Sequence, residues 1–421
     1  MDLIFAEATP PGRGGVSIIR LSGSGARSAA ERLVGPMPSP RVAYFRDLAD
    51  ADDLIDQVLA MWFADGSSFT GEEVAELHLH GAPVIARRVG RALVDLGARP
   101  AEAGEFTRRA FLNGRMDLAS IEGLGDLLAA ETEEQRKLAL RTASGELGRK
   151  AEDWRRLLVE AGALVEVSVD FADEDVPDDV PQRVFEAIEE LQIALRRELD
   201  GFGAAERLRA GFEIAIVGPP NAGKSSLLNR LAKREMAIVS ETAGTTRDVI
   251  ELRYDLHGLA VTFLDTAGLR DAENAIEAVG IERARQRAAL ADLRIHLSVD
   301  GTPVRDLWFE GDLAVQGHAD KLAHVSGLAV SPITGQGVEA LLSTLHARLQ
   351  QRVAHAGVIS HDRQRAELAT ALSALENIGD FPAELIAESL RIAASSLDRL
   401  VGRIGAEDYL DLIFLSFCIG K

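Results

Sequence analysis

The sequence predicts an α/β plus all-α protein in which a parallel α/β domain is inserted into a helical one, behind a separate α/β unit. Three observations carry this reading. Strand-like pieces alternate with helical stretches over residues 1–117. Leucines recur at helical spacing over residues 118–210, and the chain turns helical again over 362–421. Between those helical parts, residues 211–361 carry two β-branched apolar runs with the length of strands buried on both faces, the mark of a parallel sheet.

Taken in order, Val16-Ser17-Ile18-Ile19-Arg20, Ala60-Met61-Trp62-Phe63 and Ala75-Glu76-Leu77-His78-Leu79 read as strands, and Ala82–Leu96 as a helix. From Leu118, the residues Leu124, Leu127, Leu128, Leu138 and Leu140 sketch one apolar stripe; Leu157, Leu158, Ala161, Leu164 and Val165 sketch another. The stretch Asp170–Asp179 joins Pro177 to a run of self-repelling acids, so it reads as a loop in preference to a metal site. Ile214-Ala215-Ile216-Val217 and Val261-Thr262-Phe263-Leu264 are the buried strands of the inserted domain. Helix after Asp362 is broken at Pro382. Because the ends of an inserted domain lie close together, residues 118–210 and 362–421 are expected to pack on each other.

Composition excludes several classes. A chain of 421 residues suggests two to four domains, and 47% hydrophobic residues are too many for a disordered protein. With 46 basic against 66 acidic residues, the net charge of -20 argues against wholesale coating of nucleic acid or of an anionic membrane. The single cysteine, Cys418, excludes an intramolecular disulfide and any Cys-rich zinc site. Met1–Glu7 has no basic region or long apolar run, and no stretch of about 18 apolar residues follows, so a cytoplasmic protein without membrane segments is expected.

The chemistry concentrates after the first buried strand. Gly218-Pro219-Pro220-Asn221-Ala222-Gly223-Lys224-Ser225 fits G-x-x-x-x-G-K-[ST], and the helical run Ser226–Leu231 follows it. In that strand–loop–helix setting the glycines let backbone N–H groups turn onto phosphates, and the helix N-terminus adds partial positive charge. Lys224 is expected on the β- and γ-phosphates, with the Ser225 hydroxyl on Mg²⁺. Gly244-Thr245-Thr246-Arg247-Asp248 supplies a threonine for Mg²⁺ and the γ-phosphate. Asp265-Thr266-Ala267-Gly268 closes the second buried strand, with Asp265 holding Mg²⁺ through water and the Gly268 N–H on the γ-phosphate. Leu269 stands where Ras-like proteins commonly carry a water-orienting glutamine. Glu277, in the same segment, is either the substitute or an ordinary solvated acid.

Base recognition looks impaired. Guanine is usually read by Asn-Lys-x-Asp, and the best register here is Gly317-His318-Ala319-Asp320, which keeps only Asp320. The stretch Asp300–Leu313 is short for a helix plus a strand, and Ser331-Pro332-Ile333 is a degraded Ser-Ala-Lys loop. Weakened guanine affinity or selectivity is the expectation.

These residues lead to a resemblance that covers nearly the whole chain, to the bacterial tRNA-modification GTPases of the TrmE/MnmE family. Its marks are Ala8–Val16, Phe69-Thr70-Gly71-Glu72-Glu73 with Glu76 and His80-Gly81, and Ala103–Gly114. Gly218–Ser226, Ala243–Asp248, Asp265–Arg270 and the terminal Phe417-Cys418-Ile419-Gly420-Lys421 complete the set. The resemblance implies a folate-binding and dimerising N-terminal domain (1–117), a discontinuous helical domain (118–210 and 362–421) and an inserted Ras-like P-loop GTPase domain (211–361). It also implies a homodimer that works with the flavoprotein MnmG in a heterotetramer or larger complex. K⁺-stimulated GTP hydrolysis would then enable (carboxymethyl)aminomethylation at C5 of the tRNA wobble uridine, with a 5-formyl- or 5,10-methylene-type tetrahydrofolate derivative as carbon source.

Residue by residue, the resemblance gives Arg20, Glu76, Arg115 and Lys421 to folate, the three cations on the glutamate tail and Glu76 on the pterin donors. It gives Asn221, Ser240, Thr242 and Thr245 to K⁺, and Ser225, Thr246 and Asp265 to Mg²⁺. The GTP-binding set becomes Asn221, Ala222, Gly223, Lys224, Ser225, Ser226, Ser240, Glu241, Thr242, Ala243, Gly244, Thr245, Thr246, Asp265, Thr266, Ala267, Gly268 and Asp320. Glu277 matches the water-orienting catalytic acid, beside Lys224; Cys418 either serves the modification chemistry or packs. Two other readings stand beside this one. The decayed base element fits a nucleotide-gated, folate-binding scaffold of altered nucleotide specificity. A ribosome-associated GTPase of the Era or Der kind needs a Gly-x-x-Gly loop with a basic flank, which residues 362–421 do not offer. The pairs Arg108-Arg109, Arg149-Lys150 and Arg155-Arg156 read as solvated faces in preference to RNA contacts, and His78-x-His80 as structural in preference to a metal site.

Overall fold

The computed structural model describes residues 1–170, 180–234, 236–238, 251–265, 285–322, 327–405 and 413. In chain order the elements begin β1 (Ile4–Glu7), β2 (Val16–Ser22), α1 (Ala26–Val34), β3 (Tyr44–Asp50), β4 (Asp53–Phe63), β5 (Val74–His80), α2 (Pro83–Asp95), β6 (Arg99–Pro100) and α3 (Glu105–Leu112). Four helices follow: α4 (Leu118–Ala129), α5 (Glu133–Ala143), α6 (Glu146–Asp170) and α7 (Gln182–Ala210). Then come β7 (Phe212–Val217), α8 (Lys224–Ala232), β8 (Glu251–Leu256), β9 (Leu259–Asp265), β10 (Leu293–Ser298), β11 (Leu313–Gln316) and β12 (Leu328–Ala329). The last three helices are α9 (Val338–Val353), α10 (Asp362–Ala374) and α11 (Ala383–Val401). Among the described residues the strands and helices expected from periodicity are present, with ends shifted; the expected helical stretch beyond residue 405 lies, apart from residue 413, outside them. The expected loop at Asp170–Asp179 falls, past Asp170, outside the described residues.

The chain divides into two compact units. One is Met1–Gly125, Ala143–Asp170 and Pro382–Lys421; the other is Asp126–Thr142 with Phe171–Phe381. The first is built on a sheet of order β3-β4-β5-β2-β1-β6, antiparallel apart from the β1–β6 pair. Alternation along β2 and β5 sends Ile19, Leu21, Leu77 and Leu79 into one core with α1 and α2, where Val89 and Leu93 are buried. Pro83 opens α2 at a position where the missing N–H costs nothing. In the same unit α11 packs along α6.

The second unit carries a sheet of order β12-β11-β10-β7-β9-β8, parallel except that β8 runs antiparallel to β9. β7, β9 and β10 lie at its centre, and Ile214, Ile216, Phe263, Ile295 and Leu297 are fully buried there. Such near-continuous apolar strands are what a sheet covered on both faces requires. In place of a full helix between β10 and β11 there is one 3-10 turn, Arg305–Leu307, in line with the shortness seen in the sequence.

Where the chain enters and leaves this α/β region, two segments meet. α7 ends at Ala210, and the Arg209 Nε donates to the carbonyl of Ser360 at 2.9 Å. The buried Glu198 carboxylate accepts from the Val358 N–H at 3.1 Å, and Gly357 N–H donates to Gly201 O at 3.3 Å. A Cβ on Gly201 would lie 2.7 Å from Gly357 N, so glycine is what lets the exit segment touch the entry helix. α7 also packs against α9 and α10.

One expectation fails in the first unit. Arg109 is not on a solvated face: it is 3% exposed. Its guanidinium donates to Glu72 (3.0 Å), Asp2 (2.7 Å) and Glu105 (3.0 Å). Three carboxylates and the Asp2 carbonyl satisfy its donors, which is how a buried arginine is tolerated. Ser22 donates to Glu72 at 2.7 Å and Asn113 Nδ2 to Thr70 O at 2.7 Å, so the segments Phe69–Glu73 and Ala103–Gly114 are tied to one network.

Candidate nucleotide-binding site

Parallel strands present their carboxyl ends on one edge, and ligands of open α/β sheets bind there. At that edge β7 runs into the loop Gly218–Gly223 and then α8. Gly218 has a φ of 154°, and a Cβ on it would meet the Leu297 carbonyl oxygen at 1.9 Å. Asn221 sits in the left-handed region with φ 59°, which asparagine tolerates better than most residues. Gly223, with φ 97°, caps α8. The loop therefore takes a backbone path that only this residue pattern permits, and it points the first turn of α8, with exposed Ser225 and Ser226, at the sheet edge.

Lys224 is nearly buried, and its ammonium donates to Gly218 O at 2.8 Å and Pro219 O at 3.0 Å. It arches across the loop, where its charge faces any phosphate that enters. Asp265 ends β9 opposite Ile216 of β7 and is 6% exposed. The Ser225 hydroxyl and Asp265 carboxylate are hard oxygen donors of the kind Mg²⁺ takes. Ser240, Glu241, Thr242, Ala243, Gly244, Thr245, Thr246, Thr266, Ala267, Gly268 and Glu277 lie outside the described residues, as do Cys418 and Lys421.

The base-reading segment follows β11. Gly317 N–H donates to Ser298 O at 2.7 Å, and a Cβ on Gly317 would come within 2.9 Å of Ala222 O in the phosphate loop. His318 adopts φ 54°, and its Nε2 lies 3.4 Å from the Asn221 carbonyl. Asp320 is exposed, and its hydrogen bond to the buried Ser331 hydroxyl holds its carboxyl below the usual carboxylate range. Pro332 lies 3.9 Å from where a Gly223 Cβ would stand. The motif that looked decayed thus sits against the phosphate loop, with Asp320 exposed beside it. The sequence reading missed His318 and Gly317, because neither matches the consensus and only the close approach explains them.

Toward the amino ends of β10 and β11, away from this edge, lies a buried ionic cluster that periodicity could not reveal. Asp312 accepts from Arg294 Nε at 2.8 Å, from His296 Nε2 at 3.2 Å and from the Phe309 N–H at 2.9 Å. Arg294 lies 4.1 Å from the Phe309 ring centroid, and its Nη1 donates to Ala289 O at 2.9 Å. Burial raises the Asp312 carboxyl, but the Arg294 hydrogen bond and the two backbone donors outweigh it and leave it low. Burial holds the His296 imidazole below its ordinary value, and Asp312 only partly opposes this. His296 Nδ1 accepts from Val304 N–H at 3.1 Å, which assigns the proton of the neutral ring to Nε2. The cluster holds the short stretch between β10 and β11 in place of the missing helix.

In the first unit, Arg20 on β2 and Glu76 on β5 are direct cross-strand neighbours, and Arg20 Nε donates to Glu76 Oε1 at 2.9 Å. The register thus sets side by side two residues expected on different parts of a ligand. Arg115 is exposed beside a cavity of about 520 Å³ lined by Phe111, Asp117, Ser120 and Arg403. His78 pairs with Glu76 at 3.3 Å and His80 with Asp56 at 2.7 Å, and no group of three metal-binding side chains exists among the described residues. No helix of the described residues is long and apolar enough to cross a membrane.

Comparison with known proteins adds independent findings. Residues 3–115 match the family described as GTP-binding protein TrmE N-terminus, and residues 118–418 match the MnmE helical domain. The tRNA modification GTPase MnmE of Paracoccus denitrificans is 59% identical over 421 residues, covering all of both chains. That of Cereibacter sphaeroides is 52% identical over 429 residues, again covering both chains in full. Among solved structures, the G domain of the T. maritima FeoB iron transporter covers 33% of this chain and 99% of its own. At 19% identity and a TM-score of 0.27, that likeness carries no functional weight.

Proposed function

The chain belongs to the MnmE family of tRNA modification GTPases, and from that premise we propose that it hydrolyses GTP with K⁺ stimulation to enable (carboxymethyl)aminomethylation at C5 of the tRNA wobble uridine. The observation that carries the phosphate chemistry is the Gly218–Ser225 loop, whose backbone at Gly218 admits no side chain and whose lysine arches over the loop mouth. In this reading backbone N–H groups and Lys224 bind the β- and γ-phosphates, and Asp320 accepts the guanine N–H donors. Catalysis is electrostatic, since phosphoryl transfer needs positioned charge more than covalent chemistry. Glu277 orients the attacking water, which Leu269 cannot do. Ser225, Thr246 and Asp265 would hold Mg²⁺; Asn221, Ser240, Thr242 and Thr245 would hold K⁺. These cations offset charge on the phosphate oxygens when bound.

The remaining parts of the proposal concern partners. The domains are 1–117, 118–210 with 362–421, and 211–361, a partition supported by the packing of α11 on α6 and of α10 on α7. The chain forms a homodimer and joins the flavoprotein MnmG in the cytoplasm. Arg20, Glu76, Arg115 and Lys421 would hold a tetrahydrofolate derivative that supplies the one-carbon unit. The adjacency of Arg20 and Glu76 supports a bidentate donor–acceptor patch at one end of that ligand. Cys418 is assigned to the C-terminal motif, in a chemical or a packing role.

The test is GTP hydrolysis by the purified full chain in KCl and in NaCl. Faster turnover in KCl is expected; no hydrolysis in either salt by folded protein would reject the reading. A second reading, a nucleotide-gated folate-binding scaffold, is favoured by Gly317-His318 in place of Asn-Lys. Calorimetry with GTP, GDP and ATP separates the two, because tight guanine-selective binding rejects the scaffold of altered specificity.

A further inference from the structure

The base-reading corner lacks the two residues that ordinarily complete it, yet its geometry is ordered around what replaced them. Gly317 brings the end of β11 so close to the phosphate loop that a Cβ would stand 2.9 Å from Ala222 O. Backbone contact therefore does the bracing that a longer side chain does elsewhere. The next residue, His318, is turned by its left-handed backbone so that Nε2 reaches the Asn221 carbonyl at 3.4 Å. Two residues on, Asp320 is exposed at the same corner, its carboxylate open to N–H donors. A planar aromatic ring tethered to the phosphate loop and an exposed carboxylate two residues on are the two things a purine site needs: a flat face and an edge-reading acceptor.

We propose that His318 covers one face of the guanine base by stacking and restores the base affinity that the missing Asn-Lys pair would have supplied, while Asp320 reads the guanine edge. The proposal rests on GTP being the nucleotide bound at the Gly218–Ser225 loop. A lysine covers a base with its flexible alkyl stem. An imidazole offers a rigid π-face, and base–ring stacking is worth enough to change affinity about tenfold or more. The same geometry makes a counter-intuitive statement about Gly317. Restoring the consensus with Gly317→Asn would push a Cβ into the backbone of the phosphate loop, so it weakens nucleotide binding where consensus logic expects a gain.

The experiment is titration calorimetry of the full chain with GDP, ADP and inorganic pyrophosphate, for wild type, His318→Ala, His318→Phe and Gly317→Asn. The expected result is GDP affinity reduced about tenfold in His318→Ala, restored in His318→Phe, with pyrophosphate affinity unchanged in both. Gly317→Asn is expected to weaken GDP and pyrophosphate together. GDP affinity unchanged in His318→Ala overturns the proposal. So does a matching loss for GDP and pyrophosphate in that variant, since His318 would then only brace the loop. Failure of wild type to bind GDP in preference to ADP would instead remove the guanine reading on which the proposal rests.

Discussion

At Gly218 a single hydrogen atom stands where every other residue has a carbon. With φ at 154° and the Leu297 carbonyl 1.9 Å from an ideal Cβ, even alanine must displace β10 or the loop. Gly218→Ala should therefore lose about five- to a hundredfold in GTP affinity, measured by calorimetry, because strain of about 1–3 kcal/mol falls on the phosphate-binding backbone. Asp312 offers the opposite case, a residue whose charge is indispensable locally. Asp312→Ala leaves Arg294 buried without its carboxylate, and breaking such a pair costs about 3–5 kcal/mol, readable in a denaturant melt. The cluster also sets a pH dependence. Asp312 titrates below, and His296 below, their unfolded values, so the unfolded chain binds more protons and stability rises with pH. The His296 contribution is present above about pH 6.5 and is lost as pH falls from there through its lowered folded value; the Asp312 contribution is lost only at more acid pH, below about 3.9. A thermal melt series from pH 8 to pH 4 should fall on the acid side, and His296→Gln should flatten the first part of the fall.

At the scale of elements, the join between α7 and the segment leading to α10 depends on a glycine and a buried acid. Glu198→Ala would leave the Val358 N–H without its acceptor, a cost of about 1–3 kcal/mol in unfolding free energy. Gly201→Leu would drive the 355–357 segment off the helix and should destabilise more. Elements of this kind differ in how readable they are. β7, the phosphate loop and α8 were legible because every constraint lies within a few residues: a buried apolar run, glycines at fixed offsets, a helix start. β2 and β5 were legible from alternation. The Arg109 network was not, because Asp2 and Arg109 lie 107 residues apart in the chain, and a local window sees only two adjacent arginines. The cluster of Arg294, His296 and Asp312 was hidden for the same reason. At the base corner the obstacle was different. Gly317 and His318 carry meaning only through their distances to Ala222 and Asn221, and a comparison with a consensus registers them merely as losses.

For the whole molecule, the net charge of -20 bears on how a member of a tRNA-modifying family meets its RNA. Each phosphate contact steepens the loss of affinity with salt, and a strongly acidic chain offers few of them. The full chain alone should bind tRNA weakly and with a shallow salt slope, and addition of the proposed partner MnmG should steepen that slope; filter binding between about 50 and 200 mM salt reads both. The meeting of Arg209 with Ser360 has a further consequence. Arg209 holds Ser360, while Glu198 and Gly201 hold Val358 and Gly357 about two to three turns earlier on α7, so the chain leaves the α/β region as a two-stranded stem in place of two loose ends.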